Sequence, residues 1–365
     1  MLIAAASGRA LAASARRAGF VPLVADNFGD QDTLAAAGGH VRLELLNRPL
    51  NDEKLIAALN ALAGAHDCTG IVCGSGFEDR ADLLARIGSR WPLLGNKAET
   101  VAQLKDPMAF AAICQKANIP HPETSLTPPT DSAGWLVKRI GGAGGWHIRP
   151  AADANPGKGV YFQRRAAGTP VSALLLGDGR RAIVLGFSMQ WTAPTVLHPF
   201  RYGGAVRPAA LADELKQAIT EAVARLNAAV PLIGLNSADF IVDGSKFHLL
   251  EINPRPGATF DLFEPEGPSL FALHVDACAG LLPARPPRYY GAMAGAIVYA
   301  ERDIAAVEAV NWPEWTADRP VPGTSIKAEQ PLCSVFARAA STADAKKLVE
   351  QRSAMVHELL GERVS

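Results

Sequence analysis

The chain begins with alternating apolar and polar segments of the kind found in α/β domains. Residues 2–6 predict a short buried strand, residues 10–18 have helical spacing, and residues 21–25 predict a second strand that ends at Asp26. This order is the outline of a mononucleotide-type βαβ unit: a strand, a glycine turn, a helix, a second strand and an acid. The G-x-G-x-x-G sequence of dinucleotide sites is missing, so the pattern predicts a Rossmann-like domain without an NAD site.

A further buried strand, residues 70–73, leads into the glycine-rich loop at residues 74–78. Ligands of open α/β sheets bind beyond the carboxyl ends of the strands, so this loop is a candidate substrate contact, with Ser75 as its hydroxyl group. It could equally be only a connection between two elements.

The remaining pattern predicts a mixture of helices and strands. A proline-rich stretch at residues 282–287 is typical of a linker. Helices are predicted at residues 97–117, 209–229 and 343–360, and strands at residues 135–140, 159–163, 171–176 and 181–188, the last two joined by a Gly-Asp-Gly hairpin signal.

Two strand-like segments flank a second hairpin signal late in the chain. The first is residues 238–242, and the turn is Asp243-Gly244. The second lies within HLLEINPRPGATF, residues 248–260. The two strands should pair antiparallel, and folding about the turn would bring Asp239 close to Glu251.

The second of these strands carries an acid, an amide and a base on one face. Successive side chains of a strand point to opposite sides, so Glu251, Asn253 and Arg255 should share a face. An unpaired buried polar group costs roughly 2–7 kcal/mol, so a ligand explains this face better than a core does, and a solvated hairpin face is the alternative. Together with Asp239, two carboxylates and an amide carbonyl would converge, a set of hard oxygen ligands that suits Mg²⁺ completed by phosphates.

A glycine-rich loop follows the strand that carries Lys138, in the sequence WLVKRIGGAGGWHI. Glycines allow sharp turns and let backbone amide groups approach a ligand closely, and phosphate oxygens are the obvious ligand. The loop is not a Walker loop, because G-x-x-x-x-G-K-[ST] is absent and Lys138 precedes the glycines. Alone it could be structural, but a lysine, a glycine lid and a magnesium cluster are complementary parts of one triphosphate site.

Composition narrows the class of protein. The 365 residues suggest two or three domains, and 48% hydrophobic with 20% charged residues describes a globular protein with an ample core. Lys plus Arg equals Asp plus Glu, at 36 each, so no net basic charge argues for nucleic acid. Five cysteines without a C-x-x-C pair fit reduced thiols in the cytoplasm, and no apolar stretch is long enough for a membrane span.

The order of lysine, glycine, acid and amide residues along the chain resembles that of the ATP-grasp superfamily of ATP-dependent carboxylate-amine ligases and their biotin carboxylase relatives. The resemblance extends over essentially the whole chain. It rests, in order, on Lys105, Lys138 with GGAGG, Gln163, Asp239 and EINPRPG from Glu251 onward, the last being the most specific part.

The resemblance implies a fold of mixed α/β and α+β class. It consists of an N-terminal Rossmann-like domain over residues 1–95 and a two-part ATP-grasp core over residues 96–281. The ATP-binding subdomain of that core would lie at about 127–190. A small C-terminal α+β domain would occupy residues 288–365.

The resemblance also implies a role for each matched residue. Lys138 and Arg255 would be catalytic, with Arg255 steadying the substrate carboxylate or the charge that develops on the phosphoryl group. Nucleotide binding is expected at Lys105, Lys138, Gly141, Gly142, Ala143, Gly144, Gly145, Gln163, Arg164 and Arg165, and metal binding at Asp239, Glu251 and Asn253.

One departure from the family pattern concerns the ribose. Family members commonly place an acid after the hinge strand, whereas here Gln163 is followed by Arg164 and Arg165. Backbone groups can still bind adenine, so ATP remains the expected nucleotide and the ribose contact stays open.

The substrate contacts are less specified. The loop at residues 190–204 is rich in aromatic, basic and glycine residues, so Arg201 could pair with a carboxylate and Tyr202 could line the same site. An ordinary packed surface loop is the alternative. His147 and His198 could act as bases, although a lone histidine is more often structural.

The implied activity is ATP-dependent activation of a carboxylate as an acyl phosphate, followed by transfer to an amine. Mg²⁺ is the expected metal, with Mn²⁺ as a substitute, and a homodimer is expected. A bicarbonate-using carboxylase and an ATP-binding regulatory protein without turnover are the alternatives.

Three short segments resemble a particular ATP-grasp branch, encoded with tetrahydromethanopterin-linked one-carbon genes in methylotrophic bacteria. They are SGRALAASARRAG near the start, FGD at 28–30 and FRYGG at 200–204. This resemblance implies a pterin-type or methanofuran-type intermediate and an amino acid such as glutamate as substrates.

Overall fold

The structure is a computed structural model that describes residues 1–43, 52–64, 67–153 and 157–361. These residues form two four-stranded sheets and one eight-stranded sheet, with helices packed against them. The end of the predicted C-terminal domain, residues 362–365, lies outside the described residues. Within the described part of the chain, no helix is both long enough and apolar enough to cross a bilayer.

The N-terminal part is a parallel α/β unit, as its sequence pattern predicts. Its sheet has the strand order β3-β2-β1-β4, all parallel. The second strand begins at Leu23 and not at Val21, because Val21 is exposed and Pro22 has no N–H for the ladder. The elements are β1 (Leu2–Ala4), α1 (Arg9–Arg17), β2 (Leu23–Asp26), α2 (Gln31–Ala36), β3 (Gly39–Arg42), α3 (Asp52–Ala63), β4 (Ile71–Cys73) and α4 (Ala81–Gly88).

The single helix predicted over residues 97–117 is instead two helices, α5 (Ala98–Lys105) and α6 (Pro107–Lys116). The break lies at Asp106, whose backbone is extended because a residue before proline is disfavoured in the helical region. The Asp106 carboxylate then accepts hydrogen bonds from the amides of Met108 and Ala109 and caps the second helix. As a result, Lys105 lies at a helix end.

A small antiparallel sheet with the strand order β5-β8-β6-β7 follows. Its strands are β5 (Thr124–Ser125), β6 (Trp135–Arg139), β7 (Arg149–Pro150) and β8 (Val160–Arg164). Among the described residues, its buried cluster consists of Trp135, Val137, Ala151 and Phe162. Such a core is too small to stabilise a sheet by itself, so this unit depends on its contacts with the rest of the protein.

The eight-stranded sheet forms the body of the protein and has the strand order β13-β12-β9-β10-β11-β14-β16-β15. Helix α7 packs on one face and helix α8 on the other, between this sheet and the N-terminal unit. The elements are β9 (Thr169–Asp178), β10 (Ala182–Thr192), β11 (Tyr202–Arg207), α7 (Asp213–Ala229), β12 (Ile233–Asp243), β13 (Lys246–Asn253), α8 (Leu270–Cys278), β14 (Ala292–Tyr299), β15 (Thr316–Ala317), β16 (Pro331–Ala339) and α9 (Thr342–Leu359).

Both predicted hairpins are present in this sheet. Strands β9 and β10 pair antiparallel about the turn at Asp178. Strands β12 and β13 pair about Gly244-Ser245, one residue later than the predicted turn at Asp243-Gly244, and Asp239 lies near Glu251 as expected. The two residues are directly opposite because a β-bulge between Asp239 and Phe240 shifts the register by one residue. The last strands of the chain extend the same sheet, because β14 pairs with β11. The division into domains at residues 95, 281 and 288 stays a prediction.

An arginine links the N-terminal unit to the rest of the molecule. Arg9, at the start of α1, donates hydrogen bonds to Asp261 at 2.7 Å and to Asp318 at 3.0 Å. Its side chain is 10% exposed, and the carboxylates are 24% exposed. Two carboxylates from distant parts of the chain therefore share one nearly buried guanidinium group.

We expect Arg9→Met to destabilise the protein by about 3 kcal/mol, because it leaves two largely buried carboxylates without their cation. The control is Arg16→Met on the same helix, where an exposed arginine donates to the carbonyl oxygen of Ala36. That change should shift the free energy of unfolding by less than about 0.5 kcal/mol. Urea denaturation measures both, and equal shifts would contradict the proposed link.

Candidate functional site

The turn between β12 and β13 brings acid and amide side chains together. The Asn253 side-chain amide donates to Asp239 at 2.8 Å, and Gln190 approaches the other oxygen of Asp239 at 3.5 Å. Burial and the nearby Glu251 carboxylate raise the pKa of Asp239. The two facing carboxylates therefore repel each other, and a cation placed between them would relieve that repulsion.

Lys105 supplies such a cation. Its ammonium group donates to Glu251 at 3.1 Å and to the side-chain carbonyl oxygen of Asn253 at 2.8 Å. Burial alone would raise the pKa of Glu251, but Lys105 and Lys138 outweigh it and lower that pKa. Lys105 therefore bridges the same carboxylate and amide oxygens that a divalent metal ion would use.

Lys138 lies nearby in a different environment. It projects from β6, is 6% exposed and donates to the side-chain oxygen of Gln163 at 2.7 Å. Burial lowers the pKa of Lys138, while Glu251 and Asp239 act in the opposite direction. A buried ammonium group whose hydrogen bond goes to a neutral amide is well placed to receive an anionic ligand.

A cleft opens between the small sheet and the eight-stranded sheet. It brings together several of the residues predicted to bind the nucleotide. Its lining includes Lys105, Lys138, Gly141, Gly142, His147, Ile148, Tyr161, Gln163 and Glu251.

The glycine-rich segment, residues 141–148, requires glycine both for its backbone angles and because neighbouring atoms leave no room for a side chain. Gly141, Gly144 and Gly145 have positive φ angles of 68°, 67° and 74°. A Cβ atom on Gly141 would lie 2.5 Å from that of Asp79, and one on Gly145 would lie 1.9 Å from the carbonyl oxygen of Phe200. The segment therefore contacts both the N-terminal unit and the loop that precedes β11.

Arg255 lies just beyond the end of β13 and is paired with an acid from the N-terminal unit. Its Nε atom donates to Glu78 at 2.8 Å, and Glu78 also accepts from the Gly76 amide at 2.7 Å. Burial would raise the pKa of Glu78, but Arg255 and Lys105 keep that pKa below its usual range. The sequence placed Glu78 in the loop that follows β4, but it did not indicate this partner.

Several predicted site residues do not line this cleft. They are Ser75, Ala143, Gly144, Gly145, Arg164, Arg165, Arg201, Tyr202, Asp239, Asn253 and Arg255. Arg164 and Arg165 are exposed, because Arg164 lies on the face of β8 opposite Gln163 and Arg165 follows the end of that strand. Arg164 stacks over Trp135, and Arg165 over Phe200.

Arg201 and Tyr202 are also engaged elsewhere. Arg201 donates to the carbonyl oxygen of Ala193 at 2.9 Å, and the Tyr202 amide donates to the carbonyl oxygen of Gly144 at 2.9 Å. Ser75 contributes its carbonyl oxygen to the Ala6 amide at 2.8 Å.

Two residues of the cleft were not predicted as nucleotide contacts: Tyr161 was not proposed for the site, and His147 was considered only as a possible base. Tyr161 pairs directly with Lys138 across the small sheet, and its position two residues before Gln163 on one strand was an available signal. His147 follows the glycines, and burial outweighs the attraction of Glu251 and lowers the pKa of His147 to about 4. Its imidazole is therefore neutral near pH 7.

The oxygen ligands fit a divalent metal that is completed by a ligand. Among the described residues, no three His, Cys, Asp or Glu side chains converge to hold a metal by themselves. Asp239, Glu251 and Asn253 offer two carboxylates and one amide oxygen, the set that Mg²⁺ accepts when phosphates supply further oxygens. These residues could hold Mg²⁺ together with a nucleotide.

Comparison with known proteins identifies the fold. The chain is similar to biotin carboxylase from Campylobacter jejuni, solved with β,γ-ATP, with a TM-score of 0.74 and 16% identity over 95% of this chain and 89% of that one. It is also similar to N5-carboxyaminoimidazole ribonucleotide synthetase from Thermotoga maritima, with a TM-score of 0.70 and 12% identity over 96% and 97%. The protein therefore has a biotin carboxylase-like ATP-grasp fold.

Sequence comparison locates the domain more closely. Residues 95–259 match the family model of the ATP-grasp domain, so this chain contains an ATP-grasp domain over that range. The chain is 22% identical over 191 residues to the carbamoyl phosphate synthase large chain of Myxococcus xanthus. That match covers 46% of this chain and 18% of the relative, so the chain spans only a small part of that protein.

Removing the Lys105 ammonium should make the acid and amide cluster a better site for a divalent cation. We expect Lys105→Met to bind Mn²⁺ without nucleotide about tenfold more tightly than the unmodified protein, a change of about 1.4 kcal/mol. Titration followed by electron paramagnetic resonance of Mn²⁺ measures this. The control is Lys97→Met, an exposed lysine just before the same helix. Unchanged Mn²⁺ affinity in the Lys105 variant would contradict the expectation.

Proposed function

We propose that the protein is an ATP-dependent carbon–nitrogen ligase that activates a carboxylate as an acyl phosphate and transfers the acyl group to an amine. The observation that carries this proposal is the buried Lys138 ammonium, whose hydrogen bond goes to Gln163, beside an acid and amide cluster in which Lys105 bridges Glu251 and Asn253. The phosphate tail of a nucleotide would pair with the Lys138 ammonium, and a divalent cation would bind the oxygen atoms of the acid and amide cluster. The ATP-grasp domain over residues 95–259 supports ATP as the nucleotide.

The phosphate tail would lie between Lys138 and the glycine-rich segment. Lys138 offers charge, and the backbone of Gly141 and Gly142 lines the same cleft. Gln163 holds the Lys138 ammonium in place through its side-chain oxygen. The nucleotide contacts predicted for Arg164 and Arg165 are not part of this proposal, because both side chains lie outside the cleft lining.

Asp239, Glu251 and Asn253 would hold Mg²⁺, with Mn²⁺ as a substitute, and the ion would neutralise phosphate charge when bound. A 2-oxoglutarate carboxylase domain from Hydrogenobacter thermophilus, with a TM-score of 0.75 and 15% identity, was solved with MgADP and bicarbonate and supports this assignment. It covers 96% of this chain and 89% of that one.

The substrate carboxylate would bind at Arg255. The Glu78 ion pair holds the guanidinium between the N-terminal unit and the hairpin, and a guanidinium group can orient a carboxylate through two parallel N–H donors. A carboxylate oxygen then attacks the γ-phosphorus of ATP and ADP leaves, which gives an acyl phosphate. Lys138 stabilises the charge during this transfer.

The second step forms the amide. The amine nitrogen attacks the acyl carbon, phosphate leaves with its bonding electrons, and the amine loses a proton. The glycine-rich segment excludes water in the meantime, because water would hydrolyse the acyl phosphate.

Hydroxylamine trapping tests the activation step without knowledge of the natural amine. Protein, ATP and Mg²⁺ are incubated with a pool of carboxylic acids and hydroxylamine, and hydroxamates and ADP are measured by mass spectrometry. We expect equal amounts of both from at least one acid. Lys138→Met and Glu251→Gln should lower the rate about 100-fold or more, because each removes charge stabilisation in the transition state.

The exposed Lys97→Met variant is the control and should keep full activity. Full activity of either the Lys138 or the Glu251 variant would contradict the assigned roles. ATP binding without ADP release from any acid would instead support an ATP-binding regulatory protein.

A bicarbonate-using carboxylase is the second candidate. The observation that favours it is that the similar structures include biotin carboxylases and a urea carboxylase from Kluyveromyces lactis. ADP release that depends on bicarbonate, with no hydroxamate from any organic acid, would favour this candidate over the ligase.

The proposed pathway is tetrahydromethanopterin-linked one-carbon metabolism in the cytoplasm. The acid and amine pool should therefore include pterin-type and methanofuran-type intermediates and glutamate. A homodimer is also proposed, supported by the Hydrogenobacter domain, which is described as a dimer. Light scattering after gel filtration measures the oligomeric state.

A further inference from the structure

The side of the glycine-rich segment that faces away from the cleft is held by an aromatic cluster. The ring of Trp146 lies edge-on to His198, with centroids 4.6 Å apart, and edge-on to Tyr299 at 5.7 Å. The guanidinium of Arg201 lies 5.4 Å from the Trp146 ring and 3.8 Å from the Tyr299 ring. We call His198, Arg201 and Tyr299 the tryptophan clasp.

Backbone contacts reinforce this clasp. The His198 ring nitrogen Nδ1 lies 3.0 Å from the carbonyl oxygen of Trp146, and the Tyr202 amide donates to the carbonyl oxygen of Gly144 at 2.9 Å. Gly145 lies so close to Phe200 that no side chain fits between them. The segment is therefore docked on the loop before β11 through both side chains and backbone.

The C-terminal part of the chain supplies the outer wall of the clasp. Tyr299, the last residue of β14, donates its hydroxyl to the carbonyl oxygen of Tyr202 at 2.7 Å. Arg201 donates to the carbonyl oxygen of Glu329 at 3.3 Å. Arg201 is 7% exposed with these partners, so it is engaged within the clasp.

Neighbouring residues of the segment face different surroundings. Trp146 contacts the clasp, whereas His147 lines the cleft together with Lys138 and Glu251. Fixing Trp146 therefore also fixes where His147 and the glycine amides lie relative to the cleft. The small core of the sheet that carries this segment gives little independent restraint.

We propose that Trp146 is a positioning residue: the tryptophan clasp holds residues 141–148 over the cleft, so that β14 of the C-terminal region takes part in closing it. The proposal rests on the proposed function where it concerns ATP, but its structural half can be tested without turnover.

Hydrogen exchange followed by mass spectrometry tests the structural half in the ligand-free protein. We expect the amides of residues 141–148 to exchange about tenfold faster in Trp146→Ala, because two ring contacts and one cation–π contact are lost. Trp146→Phe keeps an aromatic ring in the clasp and should restore most of the protection. The control is Trp315→Ala, a half-buried tryptophan in the C-terminal region with Arg352 over its ring.

Nucleotide measurements test the functional half. Trp146→Ala should release a fluorescent nonhydrolysable ATP analogue about tenfold faster, and should raise the KM for ATP more than it lowers kcat. It should also release ADP in excess over hydroxamate, because water reaches the acyl phosphate. Trp315→Ala should change none of these values.

The outcomes separate this proposal from the proposed function. Faster exchange at 141–148 confined to the Trp146→Ala variant supports the clasp even if no acid is activated. Unchanged exchange, or equally faster exchange in Trp315→Ala, overturns it even if ATP is hydrolysed normally. Unchanged analogue release despite faster exchange overturns the claim that the clasp closes the cleft.

Discussion

Burial of two lysine ammonium groups beside one cluster of acids and amides is the constraint on which the rest of the structure depends. Lys105 comes from the end of a helix, Lys138 from the small sheet, and Glu251 and Asn253 from a hairpin of the large sheet. A buried charge without its partner costs several kcal/mol, so charge as well as apolar packing sets how these three parts meet. The resulting cleft combines fixed positive charge with oxygen ligands, which is the combination that a metal-bound polyphosphate requires.

The glycine-rich segment contacts the cleft on one side and an aromatic cluster on the other. Gly141, Gly142 and His147 of this segment line the cleft, and Trp146 packs into an aromatic cluster on the other side. The small sheet behind it has too little core to hold it rigidly. The proposed clasp therefore includes residues far away in sequence, such as Tyr299 at the end of β14, which donates its hydroxyl to the carbonyl oxygen of Tyr202.

Much of the candidate site was predictable because its parts are local. The Asp243-Gly244 signal was sufficient to bring Asp239 near the stretch that holds Glu251, but the exact opposition of the two residues depends on a β-bulge between Asp239 and Phe240. The glycines after Lys138 indicated a close approach by backbone, and three of them do have positive φ angles. The break at Asp106 was also readable, since a proline follows it, but helical spacing on both sides masked it.

The sequence by itself determined the two hairpins and the first βαβ unit, and which segments carry acids, amides and glycines, because those properties depend on near neighbours. Only the tertiary structure decided the partners of the long side chains. Arg255 is paired with Glu78, and Arg201 lies over the rings of Trp146 and Tyr299. A flexible arginine can reach many positions, and the packing of distant segments around it selects one.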